Sequence, residues 1–527
     1  MKSLRPVILV CALALPAIGQ LTYERILKAA AEPGNWLTYS GSYMSHRHSS
    51  LKQIDRSNVE RMQLKWVYQM RTLEKVETTP IVVDEVMYVT KPPDEVVALD
   101  PETGRAFWTY RRVLPEPINV CCGQVNRGVA VLGDRVYAGF VDGHVVALDA
   151  KTGALLWDVE VADRRTGHSV TVAPLAVKDK VIVGIAGGEY GIRGFLDAYD
   201  AETGERAWRF YTVPGPGEPG NETWAGDSWK TGGAPTWVTG SYDPELNLIY
   251  WGTGNPSPDW NGEVRKGDNL YSSSVIAVDA DTGKLKWYFQ FTPHDVHDWD
   301  AVQIPVLVDA SWQGRPRKLM YWANRNSFFY VLDRTTGEFL SGRPFTKQTW
   351  AKGLDEKGRP IRLPNTAPSR EGTLVYPGVQ GGTNWYSPSF SPVTGLFYMS
   401  VWEYASIYYT GDAPYTAGNR FLGSVPSGVP DDPGYGAVRA IEPQTGELRW
   451  EKRLHSKPQA GILSTAGGLV FGGTNEGHFF ALDDRTGKEL WRANTGGVIA
   501  AGPVTYLSRG QQRVTIAAGS ALFTFGL

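Results

Sequence analysis

Cysteine is almost missing from this chain, with three in 527 residues. Cys11 lies in the first dozen residues, and the other two, Cys121 and Cys122, are neighbours. No disulfide framework can staple the fold, because a bridge between adjacent residues closes almost no loop of the unfolded chain. No Cys-x-x-Cys-His occurs, which excludes a covalently attached c-type haem on this chain. Histidine is scarce too, and its eight copies are scattered without the spacing of a metal-ligand set. Charge of one sign is also missing. Fifty-three basic and 55 acidic residues leave a net charge of −2, which gives no footprint for nucleic acid or an anionic membrane.

Long apolar runs are absent as well. The longest stands at the start, where Lys2 and Arg5 precede the apolar stretch from Val7 to Leu15. Ala17-Ile18-Gly19 then offers a small-residue cleavage site before Gln20. The stretch is too short to span a bilayer, and Cys11 is not placed for a lipid anchor. Residues 1–19 are therefore expected to be a secretory signal, with residues 20–527 as one exported, mature domain. An exported chain reaches a compartment in which a disulfide persists.

What the chain has in abundance is glycine (59), tyrosine (25) and tryptophan (19), a mix suited to tight turns between aromatic-rich strands. One pattern recurs: a small residue, Asp, two positions, Thr-Gly, three positions, Trp. It runs from Ala98-Leu99-Asp100 to Trp108, from Ala147-Leu148-Asp149 to Trp157 and from Ala198-Tyr199-Asp200 to Trp208. Later copies run from Ala277-Val278-Asp279 to Trp287, from Ala440-Ile441-Glu442 to Trp450 and from Ala481-Leu482-Asp483 to Trp491. A degraded copy at Val331-Leu332-Asp333 carries Ser341 in place of Trp. Each copy reads as a hairpin whose Gly supplies a positive φ and whose Asp bonds turn amides. Successive acidic positions lie 49, 51, 79, 54, 109 and 41 residues apart. Steps near fifty fit one four-stranded propeller blade, and the longer ones imply insertions or an unmarked blade. The hairpin Ser391-Pro392-Val393-Thr394-Gly395-Leu396-Phe397-Tyr398 inside the longest step supplies the missing blade. The expected fold is all-β, an eight-bladed β-propeller. Leu64-Lys65-Trp66 is expected to pair with a strand near Val514 to Phe525 and close the ring.

The pair Cys121-Cys122 allows two readings, a strained vicinal bridge with a functional role or two small buried hydrophobes. Its setting, Cys121-Cys122-Gly123-Gln124-Val125-Asn126-Arg127-Gly128, bears on that choice. So does the order of Val76-Glu77-Thr78-Thr79-Pro80, Gly187-Gly188-Glu189-Tyr190, Gly252-Thr253-Gly254-Asn255-Pro256, Trp299-Asp300, Asn324-Arg325-Asn326 and Thr383-Asn384-Trp385. Together with the Trp repeats, these segments resemble the eight-bladed quinoprotein alcohol dehydrogenases, which use pyrroloquinoline quinone (PQQ). The resemblance covers nearly the whole mature chain, and the repeats look like that family's tryptophan-docking motifs.

The resemblance implies the following site. PQQ is flat, aromatic and carries three carboxylates, so its pocket needs flat walls and cations. Trp237 would stack beneath the ring, and a Cys121–Cys122 disulfide would form the roof. Arg127 would pair with a PQQ carboxylate. Glu77, Thr171, Ala186, Gly187, Gly188 and Asn384 would make polar and backbone contacts, and Arg325 would stand near the reactive quinone oxygen. Glu189, Asn255 and Asp298 would be the metal ligands, all oxygen donors as a hard cation requires. Asp298 would also be the base that takes the alcohol's proton. Asp300 stands where the family's calcium enzymes commonly carry a non-acidic residue and its lanthanide enzymes carry Asp. If 298–300 is extended, residues two apart point the same way. A lanthanide is therefore favoured, with Ca²⁺ as the alternative.

Two positions depart from the family pattern. Pro235 stands where many relatives have a Thr that contacts the cofactor. Gln459 falls where methanol-type enzymes place a Trp, which speaks against methanol. Trp260 is either part of the substrate wall or ordinary packing. The expected function is periplasmic oxidation of a primary alcohol, with electrons passed to a separate cytochrome c. A sugar or polyol dehydrogenase of the same chemistry is one alternative. A non-catalytic propeller scaffold of the outer-membrane-assembly type is the other, and it would have no use for Cys121-Cys122, Asp298 or Arg325.

Overall fold

The computed structural model describes residues 20–527. The expected signal segment lies outside the described residues. Eight antiparallel sheets of four strands, one extended by a short fifth strand, follow one another along the chain. We number these blades 1 to 8: 81–111, 130–160, 175–211, 241–290, 306–344, 389–454, 463–494 and 504–526. Blade 8 is completed by Gln63–Gln69, which pairs with Ala521–Gly526 and joins the two ends of the ring. The hairpin expected to mark the hidden blade is there, with Ser389–Phe390 paired to Phe397–Glu403. Among the described residues no helix is long and apolar enough to cross a membrane.

Burial follows strand position. In blade 1 the innermost strand, Ile81–Val83, is buried throughout, while the outermost, Ala106–Arg111, is half exposed. The outer strand still carries the device that joins blades. Trp108 of blade 1 donates its indole N–H to the carbonyl of Ala150 in blade 2 at 2.9 Å. Its ring also covers Gly153 of the next Asp-x-x-Thr-Gly turn. The same bond recurs from Trp66 to Pro101, Trp157 to Ala201, Trp208 to Ala280, Trp287 to Arg334, Trp450 to Asp484 and Trp491 to Met62. The repeat therefore encodes the seam between blades as well as the hairpin. Blade 5, which has Ser341 instead of Trp, docks differently: the aliphatic stem of Arg343 lies against Gly446 of blade 6.

Two glycines with nearly the same backbone test this reading. Gly153 has φ +74° and a Cβ there would stand 2.5 Å from the Trp108 ring, whereas Gly395 has φ +71° and nothing within 4 Å. Both Gly→Ala changes carry the same left-handed strain, about 1–2 kcal/mol. Gly153→Ala adds overpacking worth about 1–3 kcal/mol more. Denaturant titration is expected to find Gly153→Ala the more destabilised. Equal losses would show that the ring contact contributes nothing.

Candidate active site

The residues expected to form the site come from corresponding points of successive blades. Glu77, Arg127, Thr171, Trp237, Asp300, Asn384 and Gln459 each lie in the segment that leads into a blade's innermost strand. Ala186, Gly187, Glu189, Asn255 and Arg325 follow the second strand of their blades. In an antiparallel pair the start of one strand and the end of the next share a rim. The ring thus gathers residues as far apart as Glu77 and Gln459 at one end of its channel.

There they line a cavity of about 330 Å³. Of the expected residues, Glu77, Cys121, Cys122, Arg127, Thr171, Ala186, Gly187, Glu189, Trp237, Asp298, Asp300, Arg325 and Asn384 form its walls. Gly188 and Asn255 stand just behind, the Asn255 amide oxygen facing Gly188. Cys121 and Cys122 are joined as a vicinal disulfide. Gly187 has φ +125°, a conformation that keeps the turn of Gly188–Tyr190 tight against the cavity.

Two ion-paired groups divide the cavity. Arg127, buried, pairs with Glu77 at 2.7 Å and donates to the Thr171 hydroxyl at 2.9 Å. Its guanidinium lies 4.7 Å from the Trp237 ring centre and 4.9 Å from that of Trp385. Lys75 Nζ is 3.0 Å from the other oxygen of Glu77 and also lines the cavity. The second group is acidic. Arg325 holds Asp300 at 2.9 Å and Asp298 at 3.4 Å, and donates to the Val379 carbonyl at 2.6 Å. Asp300 is further held by the indole N–H of Trp237 at 3.1 Å and the backbone N–H of Asn255 at 2.5 Å.

Asp298 departs from the expected geometry. The segment is not extended, because Asp298 has φ +59°. The two carboxylates converge through this left-handed turn and their shared guanidinium, while Trp299 between them is buried. Among the described residues, the group of three His, Cys, Asp or Glu ligand atoms within 4.8 Å of one another is that of Cys121, Cys122 and Glu189. Asp298 and Asp300 are instead drawn to Arg325.

Electrostatics set these residues apart. Burial pushes the Glu189 carboxyl up to about 6, helped by the charge of Asp300. Burial likewise raises Asp298 well above the carboxylate range, with Arg325 opposing, and it raises Asp300. Burial works against the charge of Arg325, but Asp298 and Asp300 more than offset it and hold the guanidinium charged. Buried Asp300 and half-buried Asp298 and Glu189, facing one guanidinium, make an oxygen-rich donor set with excess negative charge, which suits a multivalent cation. The cavity lined by Trp237, Trp385 and the disulfide, with the Arg127 guanidinium held against both indole rings, suits a planar anionic ring.

Lys75 and the segment 411–425 were not expected in the site. Lys75 precedes Glu77 by two, a spacing that places both on one side of an extended chain, so it was open to sequence reasoning. The segment 411–425 carries no pattern, yet it is bonded to residues that form the site's walls. The N–H of Phe421 donates to the Glu189 carbonyl at 2.7 Å, Arg420 donates to the Cys121 carbonyl at 3.2 Å, and the N–H of Trp260 donates to the Leu422 carbonyl.

A closed eight-bladed ring with a cofactor-sized slot, a vicinal disulfide and a buried acidic cluster defines a class, the propeller oxidoreductases of the quinoprotein type. The chain belongs to the PQQ family described as glucose/ethanol/alcohol dehydrogenase, beta-propeller domain, whose model matches residues 36–347 and 409–514. It is 41% identical to quinohemoprotein alcohol dehydrogenase ADH IIB of Pseudomonas putida, over 98% of this chain and 78% of that one. It is 38% identical to the lanthanide-dependent methanol dehydrogenase of Methylacidiphilum fumariolicum (strain SolV), over 94% and 86%. The solved quinohemoprotein alcohol dehydrogenase of Comamonas testosteroni matches with a TM-score of 0.92 at 36% identity, covering 97% of this chain and 83% of that one.

Proposed function

We propose that this protein oxidises a primary alcohol to an aldehyde in the periplasm and passes the electrons to a separate cytochrome c. In this reading residues 1–19 are the export signal and 20–527 the catalytic propeller. The observation that carries it is the Arg325–Asp298–Asp300 cluster on the wall of the slot that Trp237, Arg127 and the Cys121–Cys122 disulfide also line. PQQ, when bound, supplies a two-electron quinone acceptor for hydride. Arg127, Thr171, Asn384 and Trp237 would hold and orient it. Glu189, Asn255, Asp298 and Asp300 would hold the cation. Asp298 takes the hydroxyl proton of the alcohol onto its carboxylate. Arg325 supplies positive charge on the wall that carries Asp298 and fixes Asp298 and Asp300 relative to each other.

The test is dye-linked alcohol oxidation by protein reconstituted with PQQ and either La³⁺ or Ca²⁺, across alkyl alcohols and polyols. Activity with PQQ and La³⁺ is expected, with Ca²⁺ the weaker partner. The lanthanide-dependent relative and the carboxylate at Asp300 support that order. Activity with Ca²⁺ alone would remove Asp300 from the metal set, and failure to take up PQQ would overturn the reading.

A further inference from the structure

Asp259 is a fourth acidic residue buried beside the cluster, with 1% exposure. Its Oδ1 is enclosed without a hydrogen-bond partner. The segment that carries it is wedged between the two acidic turns of the site. On one side Ser257 Oγ donates to the Gly188 carbonyl, next to Glu189. On the other, Arg265 ties the segment to the Asp295–Asp300 stretch, donating to the carbonyls of Pro258 at 3.0 Å, Asp259 at 3.3 Å and Asp295 at 2.6 Å. The remaining Arg265 nitrogen donates to the Asn269 side chain at 2.9 Å. The Arg265 guanidinium thus donates its hydrogen bonds to neutral oxygens and not to the Asp259 carboxylate. The charges that act on Asp259 most strongly are those of Asp298, Glu189 and Asp300, and burial with these like charges pushes its carboxyl well above the ordinary range.

A buried carboxylate oxygen without a donor is rare, because the charged form loses its hydration with no return. Here five carboxylates, those of Glu189, Asp259, Asp295, Asp298 and Asp300, face two buried guanidiniums, Arg265 and Arg325, which leaves three negative charges. A divalent ion leaves one of those charges unbalanced, and a trivalent ion balances all of them. We propose that Asp259 belongs to the cation field of this site and biases it toward a trivalent ion over a divalent one. Asp259 is a positioning residue in this role, acting through the cation and not on the substrate. The inference rests on the cofactor-and-cation reading above and adds a residue to it.

The test uses PQQ-loaded protein stripped of metal with a chelator and titrated with Tb³⁺, read by tryptophan-sensitised luminescence, with Ca²⁺ measured by competition. Asp259→Asn is expected to weaken Tb³⁺ about a hundredfold and Ca²⁺ about twentyfold, a fall of about fivefold in the Tb³⁺/Ca²⁺ ratio, because the charge–charge energy scales with ion valence. Asp259→Glu keeps the charge and is expected to hold the Tb³⁺/Ca²⁺ ratio within about 1.5-fold of the parent. Equal loss for both ions, no loss for Tb³⁺, or an Asp259→Glu variant that behaves like Asn would each overturn the proposal. Retention of PQQ after desalting, followed by its absorbance, is scored in the same samples. A parent protein that retains none overturns the cofactor reading and this inference with it. Retention with an unmoved ion ratio overturns the inference alone.

Discussion

Asp298→Asn is expected to lower kcat by on the order of a thousandfold or more, the range set by a positioned general base, while cofactor uptake and fold survive. Asparagine is the right replacement for a conformational reason. Asp298 has φ +59°, where Asn is among the few residues that sit without much strain. Alanine there would confound lost chemistry with a strained turn. The surroundings are also held without the Asp298 charge. Arg325 keeps its bonds to Asp300 at 2.9 Å and to the Val379 carbonyl at 2.6 Å, and Asp300 keeps Trp237 and the Asn255 amide. In the metal-free protein the change removes a charge that burial disfavours, so the melting temperature is expected to stay level or rise. The pH profile gives an independent check. The base works only when ionised, and burial raises its pKa, so parent turnover climbs as pH rises through that titration. A cation held by the same carboxylates opposes the rise and moves the climb to lower pH. The Asn variant is expected to lack this limb. A variant that kept both rate and limb would remove Asp298 from proton transfer.

The fold was legible because each blade is a local unit. Asp-x-x-Thr-Gly sets a turn by its own chemistry, and the Trp five residues from the Thr lands on the same turn of the next blade. Where the Trp is lost, at Ser341, the strand still forms, because Val331 pairs with Ser341 in the register that Ala98 keeps with Trp108. The cavity walls were legible for a related reason: Glu77, Arg127, Thr171 and Trp237 all lie just ahead of an inner strand, so one topological rule brings them together. What escaped was set by long-range packing. The turn at Asp298 has no Gly or Asn to announce it, and the pairing of Arg127 with Glu77 joins residues 50 apart in sequence. Asp259 reads as one acid in a loop, and only burial between the Gly188 and Asp295 turns makes it part of a charge cluster. The placement of 411–425 against the site is fixed by backbone bonds to Glu189 and Trp260 that leave no mark on side-chain pattern.

Arg127→Met is expected to cost both stability and cofactor, and a second substitution separates the two. The guanidinium is buried between Trp237 and Trp385 and pairs with Glu77, itself buried. Removing one member of a buried ion pair strands the other, at about 3–5 kcal/mol. Lys75 Nζ at 3.0 Å from Glu77 remains and keeps the loss toward the lower end. Changing Glu77 to Gln in the same chain removes the stranded charge, so the double variant is expected to recover most of the melting temperature. Cofactor binding is expected to behave differently. Two charge-assisted hydrogen bonds from a planar fork to a carboxylate are together worth about 3 kcal/mol or more, so affinity for PQQ falls on the order of a hundredfold. The double variant is not expected to restore it, since the Lys75 ammonium freed from Glu77 is a point charge and not the planar two-donor fork of Arg127. Thermal unfolding and PQQ titration by quenching of tryptophan fluorescence read the two effects on the same samples. If stability and affinity recover together in the double variant, Arg127 serves the fold alone. If stability recovers and affinity does not, the pair is a scaffold that holds Arg127 for an anionic ligand, which is the role its place between two indole rings suits best.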